Sequence, residues 1–251
     1  MTAADPGATE LNQYVYGIVP ADAQVPADLN GLGGHPVRLE PMGHVGVLVS
    51  DLPEPEVVGL PDEMRAHALV LDTVAAACPV LPMRFATVVP DVDVLREEVL
   101  PEHEDRYVED LRRLSDAVQF TLQVRYVQEA VIAELVAEQP EIRELRESTA
   151  GKPEDASYYD RIRLGELVVR GFEEKRSTDA AAITADLTRY AEELRPREAG
   201  QVDDVLEAAV LVRRNEITSF EDAVEDVAAR MKDRATFRLV GPQAPYDFVE
   251  A

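Results

Sequence analysis

The period of apolar and polar positions changes several times along the chain, and each change marks an element. Gln13–Val19 (QYVYGIV) is rich in β-branched and aromatic residues and is closed by Pro20, which predicts a first strand. Residues 20–34 carry Pro20, Pro26, Gly31, Gly33 and Gly34, a crossover loop with room for one helical turn. Two short strands follow, Pro36–Glu40 and Val45–Val49, split by the turn Pro41-Met42-Gly43-His44. Pro53, Pro55 and Pro61 mark an exposed linker. Asp62 is the expected N-cap of a helix to about Cys78, with Met64, Ala68, Leu71 and Ala75 as its apolar stripe. After Pro79, Val80–Val89 (VLPMRFATVV) reads as a strand with an irregularity at Pro82. The order strand, crossover, hairpin, helix, strand is the split βαβ arrangement of ferredoxin-like units, here with its first crossover helix weak or absent.

The second half repeats the alternation with more helix. Residues 91–117 read as helical with a break at Leu100-Pro101, because proline disfavours helical geometry just before it. Gln119–Val127 alternates strictly, with Phe120, Leu122, Val124 and Tyr126 on one face, as a half-buried strand does. Helices are expected over 128–138 and 140–148, the second opened by Pro140. The longest helical region, Tyr158–Leu194, stacks Leu164, Leu167, Val168, Gly171 and Phe172, then Ile183, Leu187, Tyr190, Ala191 and Leu194. Ser177-Thr178-Asp179 between the two stripes marks a kink or a recap, and Pro196 and Gly200 end the region. Leu206–Val212 reads as a strand, Thr218–Asp233 as a helix with Thr218 and Glu221 at capping-box spacing, and Ala235–Val240 as a last strand. The fold class is therefore α+β. Its expected parts are a disordered 1–10, an N-terminal ferredoxin-like domain over 11–117 (core 11–90), and a C-terminal α-rich domain over 118–251 with an extended tail, 241–251.

Charge narrows the class of partner. The chain holds 25 basic and 49 acidic residues, a net charge of −24. Phosphate backbones and anionic membranes both require basic patches, so neither nucleic acid nor membrane is an expected partner. The acid is spread along the whole chain and acts first as a solubility field. Only three residues are lysine (Lys152, Lys175, Lys232), against twenty-two arginines, a bias of high-GC or haloarchaeal sources. The single cysteine, Cys78, precludes an intramolecular disulfide and fits a reducing compartment. It ends an apolar helical stretch with no basic neighbour, as a buried inert thiol does. No signal peptide and no apolar run of membrane-spanning length is present, so a soluble, cytoplasmic protein is expected.

No constellation of residues calls for catalysis, metal or cofactor. His35, His44, His67 and His103 form no metal-ligand spacing, and His67 reads as a helix-surface or core-edge imidazole. Gly31, Gly33 and Gly34 lack the Lys-Ser/Thr that a phosphate loop needs. Glu221, Asp222, Glu225 and Asp226 cluster, but opposite the apolar stripe of their helix and at its positively polarised end, where acids are favourable as a solvated face.

Several stretches, in order, resemble gas vesicle proteins of the GvpF/GvpL family: YVYGIV (Tyr14–Val19), AHALVLD (Ala66–Asp72), VLPMRFATV (Val80–Val88), RLGELV (Arg163–Val168) and GPQAPYDFV (Gly241–Val249). Ala86 stands where the family pattern has glycine, and QAPYDF replaces a more usual aromatic-Pro-Pro-Tyr tail. The resemblance implies a ferredoxin-like N-terminal lobe and a helical C-terminal lobe that includes a modified ferredoxin-like unit. It implies a non-catalytic adaptor, chaperone or nucleator of gas vesicle assembly, associated with the vesicle. Its expected partners are the hydrophobic shell protein GvpA and other accessory gas vesicle proteins. The alternatives are a small-molecule enzyme or sensor on ferredoxin-like lobes, or an outer structural component of the vesicle. Two segments are the expected partner contacts: Met83, Arg84 and Phe85 in the VLPMRFATV run, and Pro245, Tyr246 and Phe248 in the tail. Arg84 sits among apolar neighbours, so a structural Arg–carboxylate pair joining the lobes is the expected arrangement, with an exposed client-receiving edge as the alternative. The tail residues are expected to pack across their own domain or to dock on a partner.

Overall fold

The computed structural model describes residues 12–52, 59–198 and 200–249. The disorder expected for residues 1–10 and the Pro53 and Pro55 linker lie outside them. The chain divides into two compact units, Met1–Gln119 with Pro242–Ala251, and Phe120–Gly241. The closing segment, expected as an extension of the C-terminal domain, thus belongs to the first unit. The physical reason is a set of tethers there. The Ala244 N–H donates to Asp72 Oδ1 (2.8 Å), and Gln119 and Asp247 exchange two hydrogen bonds of 2.6 and 3.0 Å.

The first unit contains β1 (Asn12–Pro20), β2 (Arg38–Met42), β3 (Val45–Leu52), α1 (Pro61–Ala75), β4 (Leu81–Pro82), β5 (Val88–Val89), a single turn α2 (Val92–Val94) and α3 (Leu100–Arg113). Its sheet runs β2-β3-β1-β4, with β5 also on β1, the strand order of a ferredoxin-like unit. The crossover between β1 and β2 has shrunk to a 3-10 turn, Leu32–Gly34. The hairpin turn is shorter than expected, Gly43-His44, because Met42 already pairs with Val45.

β1 is buried along seven consecutive residues, Gln13–Val19, because helices cover both its faces. Tyr14, Tyr16 and Val19 join Val70, Leu71 and Val74 of α1 in one core, whereas Ile18 lies with α3 residues on the other side. A register shift between Val15 and Gly17 makes Tyr16 an extra residue, and this bulge lets Tyr16 and Val19 share a face. A Cβ on Gly17 would lie 2.8 Å from the Leu81 carbonyl oxygen and 2.9 Å from Leu71, so only glycine fits where helix and edge strand converge.

Helix α1 starts two residues earlier than expected, with Leu60 rather than Asp62 as its N-cap. Pro61 opens it, and Glu63 in its first turn reaches back to accept the Gly59 and Leu60 N–H groups (both 2.7 Å), so Asp62 is not the cap. Its buried face is His67, Val70, Leu71, Val74 and Ala75; Met64, expected in the stripe, is 53% exposed. The expected break at Leu100-Pro101 is a π-helical stretch, Leu95–Val99, leading into α3. Pro101 has no N–H to donate to the preceding turn, and a widened turn accommodates that.

The second unit holds most of β6 (Ala117–Tyr126), then α4 (Gln128–Glu138), α5 (Pro140–Thr149), α6 (Glu154–Leu187), β7 (Glu193–Pro196), β8 (Asp204–Arg213), α7 (Ile217–Arg230) and β9 (Ala235–Gln243). Its sheet runs β7-β8-β6-β9, the same order with α4–α6 as an enlarged first crossover. Helix α6 runs unbroken for 34 residues through Ser177-Thr178-Asp179. Thr178 Oγ1 donates back to the Glu174 carbonyl, and Asp179 pairs with Arg234 at 2.8 Å, so neither hydroxyl nor carboxylate starts a new helix. β7 takes Leu194 and Pro196, expected in and after the helix; proline is tolerated there because β7 is an edge strand. The expected Thr218/Glu221 capping box is absent because α7 begins at Ile217, with Glu216 as the N-cap.

The strand expected over Val80–Val89 is two short pieces, β4 and β5, separated by a turn that leaves the sheet edge. Thr87 N–H closes it onto the Arg84 carbonyl (3.2 Å), and Ala86 occupies its third position at φ +66°. Glycine normally fills that place in a type II turn, since a Cβ in the left-handed region costs about 1–2 kcal/mol. Ala86→Gly is therefore expected to raise unfolding stability by about 0.5–1 kcal/mol, after allowing for glycine's extra freedom in the unfolded chain. A denaturant titration reads this directly, and an unchanged midpoint would show that the turn carries no such strain.

Candidate functional site

The site is built outward from two tyrosines that β1 places side by side in the core of the first unit, ring centroids 4.8 Å apart. Each hydroxyl is buried and must be satisfied. Tyr16 Oη accepts the Leu32 N–H (2.8 Å) and bonds Ser50 Oγ (2.9 Å), across the sheet on β3. Tyr14 Oη accepts the Ala86 N–H (3.0 Å) and bonds His67 Nδ1 (2.9 Å). Burial raises both phenol pKa values, Tyr14 to about 12, with the Ala86 amide opposing the shift. Both tyrosines stay neutral, so the Tyr14–His67 bond joins a phenol to an imidazole and involves no phenolate.

His67 is not at a surface or a core edge; it is 3% exposed. Its ring stacks on Tyr16 (5.7 Å, 24°) and meets Tyr14 and Phe85 edge-on. Desolvation pulls its pKa down from 6.5 to about 4, and the nearby Met83 carbonyl offsets this only in part. That carbonyl makes no hydrogen bond of normal geometry to Nε2, which has no partner among the described residues. A neutral imidazole, joined to Tyr14 through Nδ1, is the form this burial favours.

On the α3 side of the sheet, the β4 edge carries a groove of about 420 Å³. Ile18, Leu81, Pro82 and Met83 line its strand side, Tyr107 of α3 and Val249 of the tail its far side, with Arg84, His103 and Arg106 also on its wall. The structure thus brings Met83 and Arg84 together with the last described residue of the tail. Arg84 is exposed, and the expected carboxylate pair is absent: among the described residues it makes no ion pair. The turn holds its backbone instead, through the Thr87 N–H and Oγ1. Phe85 turns inward to Tyr14 and His67 rather than outward.

The tail segment splits the same way. Phe248 is 1% exposed and Pro245 is buried, with Arg113 donating to the Phe248 carbonyl, so these two close the unit's own core. Tyr246 alone stays at the surface, its ring 6.3 Å from His67. The groove's α3 residues, His103, Arg106 and Tyr107, were missed in sequence. Their spacing on one helix face was the only available signal, and no apolar stripe drew attention to it.

Among the described residues, no three or more His, Cys, Asp or Glu side chains are grouped to hold a metal, and no helix is long and apolar enough to cross a membrane. Glu221, Asp222, Glu225 and Asp226 are exposed on α7, opposite buried Phe220, Val224 and Val227.

These features define an α+β protein of two ferredoxin-like units with an open apolar groove on one sheet edge. A family profile described as "Gas vesicle synthesis protein GvpL/GvpF" matches residues 12–250. Gas vesicle protein F of Streptomyces sp. (strain CB03234) is 32% identical over 244 residues, covering 96% of this chain and 100% of the relative. Gas vesicle protein L of the same strain is 28% identical over 270 residues, covering 96% and 94%. The crystal structure of GvpF from Anabaena sp. PCC7120 superposes with a TM-score of 0.82 at 20% identity, over 96% of this chain and 99% of that one. GvpF from Microcystis aeruginosa gives 0.76, also at 20% identity and with 96% and 99% covered. The chain belongs to the GvpL/GvpF family of gas vesicle synthesis proteins, and its role is tied to gas vesicles.

The imidazole makes stability pH-dependent with a defined sign. The unfolded ring takes up a proton near pH 6.5, and the folded ring refuses it until about pH 4. Unfolding therefore binds a proton in that interval, and this group's contribution to stability is lost as pH falls from about 6.5 to 4, by up to about 3 kcal/mol. His67→Gln keeps an acceptor for Tyr14 and does not titrate. Its denaturation midpoint is expected to fall less than the wild type's between pH 7 and 4.5, the difference matching the proton that wild-type unfolding takes up. Parallel curves would assign the dependence to other groups.

Proposed function

We infer that the chain is a non-catalytic adaptor of gas vesicle assembly that binds the shell protein GvpA through the groove on the β4 edge. The observation that carries this reading is the pairing of an apolar groove with an exposed Arg84 that makes no ion pair among the described residues, held in place by a turn whose amide is fixed to the core. A hydrophobic shell subunit fits such a groove through an apolar segment, and a carboxylate on that segment fits Arg84. The edge strands β4 and β5 are two residues each, too short to template uncontrolled strand addition, so the groove offers side-chain contacts rather than a free ladder. The −24 charge then keeps the loaded complex dispersed. Other accessory gas vesicle proteins are co-partners in this reading.

Co-expression with GvpA tests it, measured as shell protein that stays soluble and co-purifies. Arg84→Glu and Met83→Asp are expected to lower co-purified GvpA by about tenfold, the equivalent of one good contact. Leu69→Ser, an exposed residue on α1, is expected to leave it unchanged. Truncation after Val240 is a poor test, because Ala244 and Phe248 belong to the core of the first unit. Wild type that neither binds nor solubilises GvpA, or groove variants that bind as wild type does, would overturn the assignment.

A further inference from the structure

The amino-terminal half of α6 carries an apolar face that none of the described residues of its own unit covers. Tyr158, Ile162, Gly165 and Val169 follow one another at spacings of four, three and four, the seam of a helix that meets another helix. Tyr158 is 58% exposed, Ile162 44% and Val169 44%, and neighbouring Tyr159 is 83% exposed. The buried side of the same stretch is elsewhere, at Ser157, Leu167 and Gly171.

Gly165 is the informative position. Glycine inside a helix weakens it relative to alanine, so its presence asks for a reason. Six residues on, Gly171 has one: a Cβ there would lie 2.6 Å from Leu135. At Gly165 a Cβ would meet nothing within 4 Å. No contact among the described residues calls for glycine at the centre of this seam, whereas close approach of a second helix does.

The charges bordering the seam point to the occupant. Asp155, Glu166 and Glu173 lie along one border, are exposed, and have no ion-pair partner among the described residues. On the other border, Arg161 is engaged by its own helix, donating to Ser157 Oγ (2.9 Å) and to the Lys152 carbonyl (3.3 Å). With −24 on each copy and carboxylates free at the border, a second copy of the chain is electrostatically disfavoured. We propose that this face of α6 docks an amphipathic helix of another protein whose polar flank is basic.

The probe is a synthetic amphipathic helical peptide of about three heptads with leucine at the seam and lysine on the flanks. A glutamate-flanked version and a scrambled lysine version serve as controls, and binding to the full chain is read by fluorescence anisotropy. The lysine peptide is expected to bind and the two controls not. Ile162→Ser is expected to weaken it about tenfold, and joint Asp155→Asn, Glu166→Gln, Glu173→Gln to weaken it similarly while flattening its salt dependence. Leu69→Ser is expected to have no effect. All these positions are exposed, so far-ultraviolet circular dichroism should match wild type. Equal binding of the scrambled peptide, or indifference to Ile162→Ser, would reduce the effect to nonspecific attraction by an acidic protein. Self-association abolished by Ile162→Ser would assign the face to a second copy. Either result overturns the proposal.

Discussion

The hydroxyl of Tyr14 lies in an apolar core, where an unpaired polar atom is most costly, and much of the first unit is arranged to answer it. Its two partners come from parts of the chain distant in sequence: His67 on α1 and the Ala86 amide in the turn beyond β4. Satisfying one hydroxyl therefore fixes a helix and a turn against the central strand at once. The turn is the consequential member. It lifts Arg84 off the sheet edge while Phe85 points back to the tyrosine, so a demand of the core decides what the edge displays. The alanine at φ +66° belongs to the same arrangement, since its backbone conformation is what aims that amide at Tyr14.

The closing segment adds a second constraint. Ala244, Pro245 and Phe248 fill the core of the unit that begins the chain, and Asp72, Gln119 and Arg113 hold them there. Burial raises the Asp72 carboxyl's pKa, and the Ala244 N–H partly restores its ionised form. Residues 244–248 thus complete the core of the first unit, and Val249 lies at the groove as a consequence.

Much of this was legible in the residues. Alternation placed Phe120, Leu122, Val124 and Tyr126 on the buried face of β6, and the split βαβ order gave the sheet of the first unit. The run around Arg84 and the tail stand out in the sequence for mixed reasons. Phe85, Pro245 and Phe248 are apolar because they are interior, and apolarity alone does not distinguish a core residue from a contact residue. His67 was misplaced because a periodicity argument treats imidazole as polar, whereas a tyrosine hydroxyl across the core makes it welcome inside. β7 was missed because a four-residue edge strand is too short to show alternation. The return of the tail had no local signal, since the groups that hold it are single polar residues more than a hundred positions away.

The proposed adaptor role rests on the open groove at the β4 edge of a chain in the GvpL/GvpF family. In the proposed complex the shell protein is held at the β4 edge. Amide hydrogen exchange of the full chain, alone and with GvpA bound, tests it most directly. The account predicts new protection concentrated at residues 81–87 and along 103–107, with β6 and α7 unchanged. Binding without protection at 81–87, or protection confined to other segments, would contradict it.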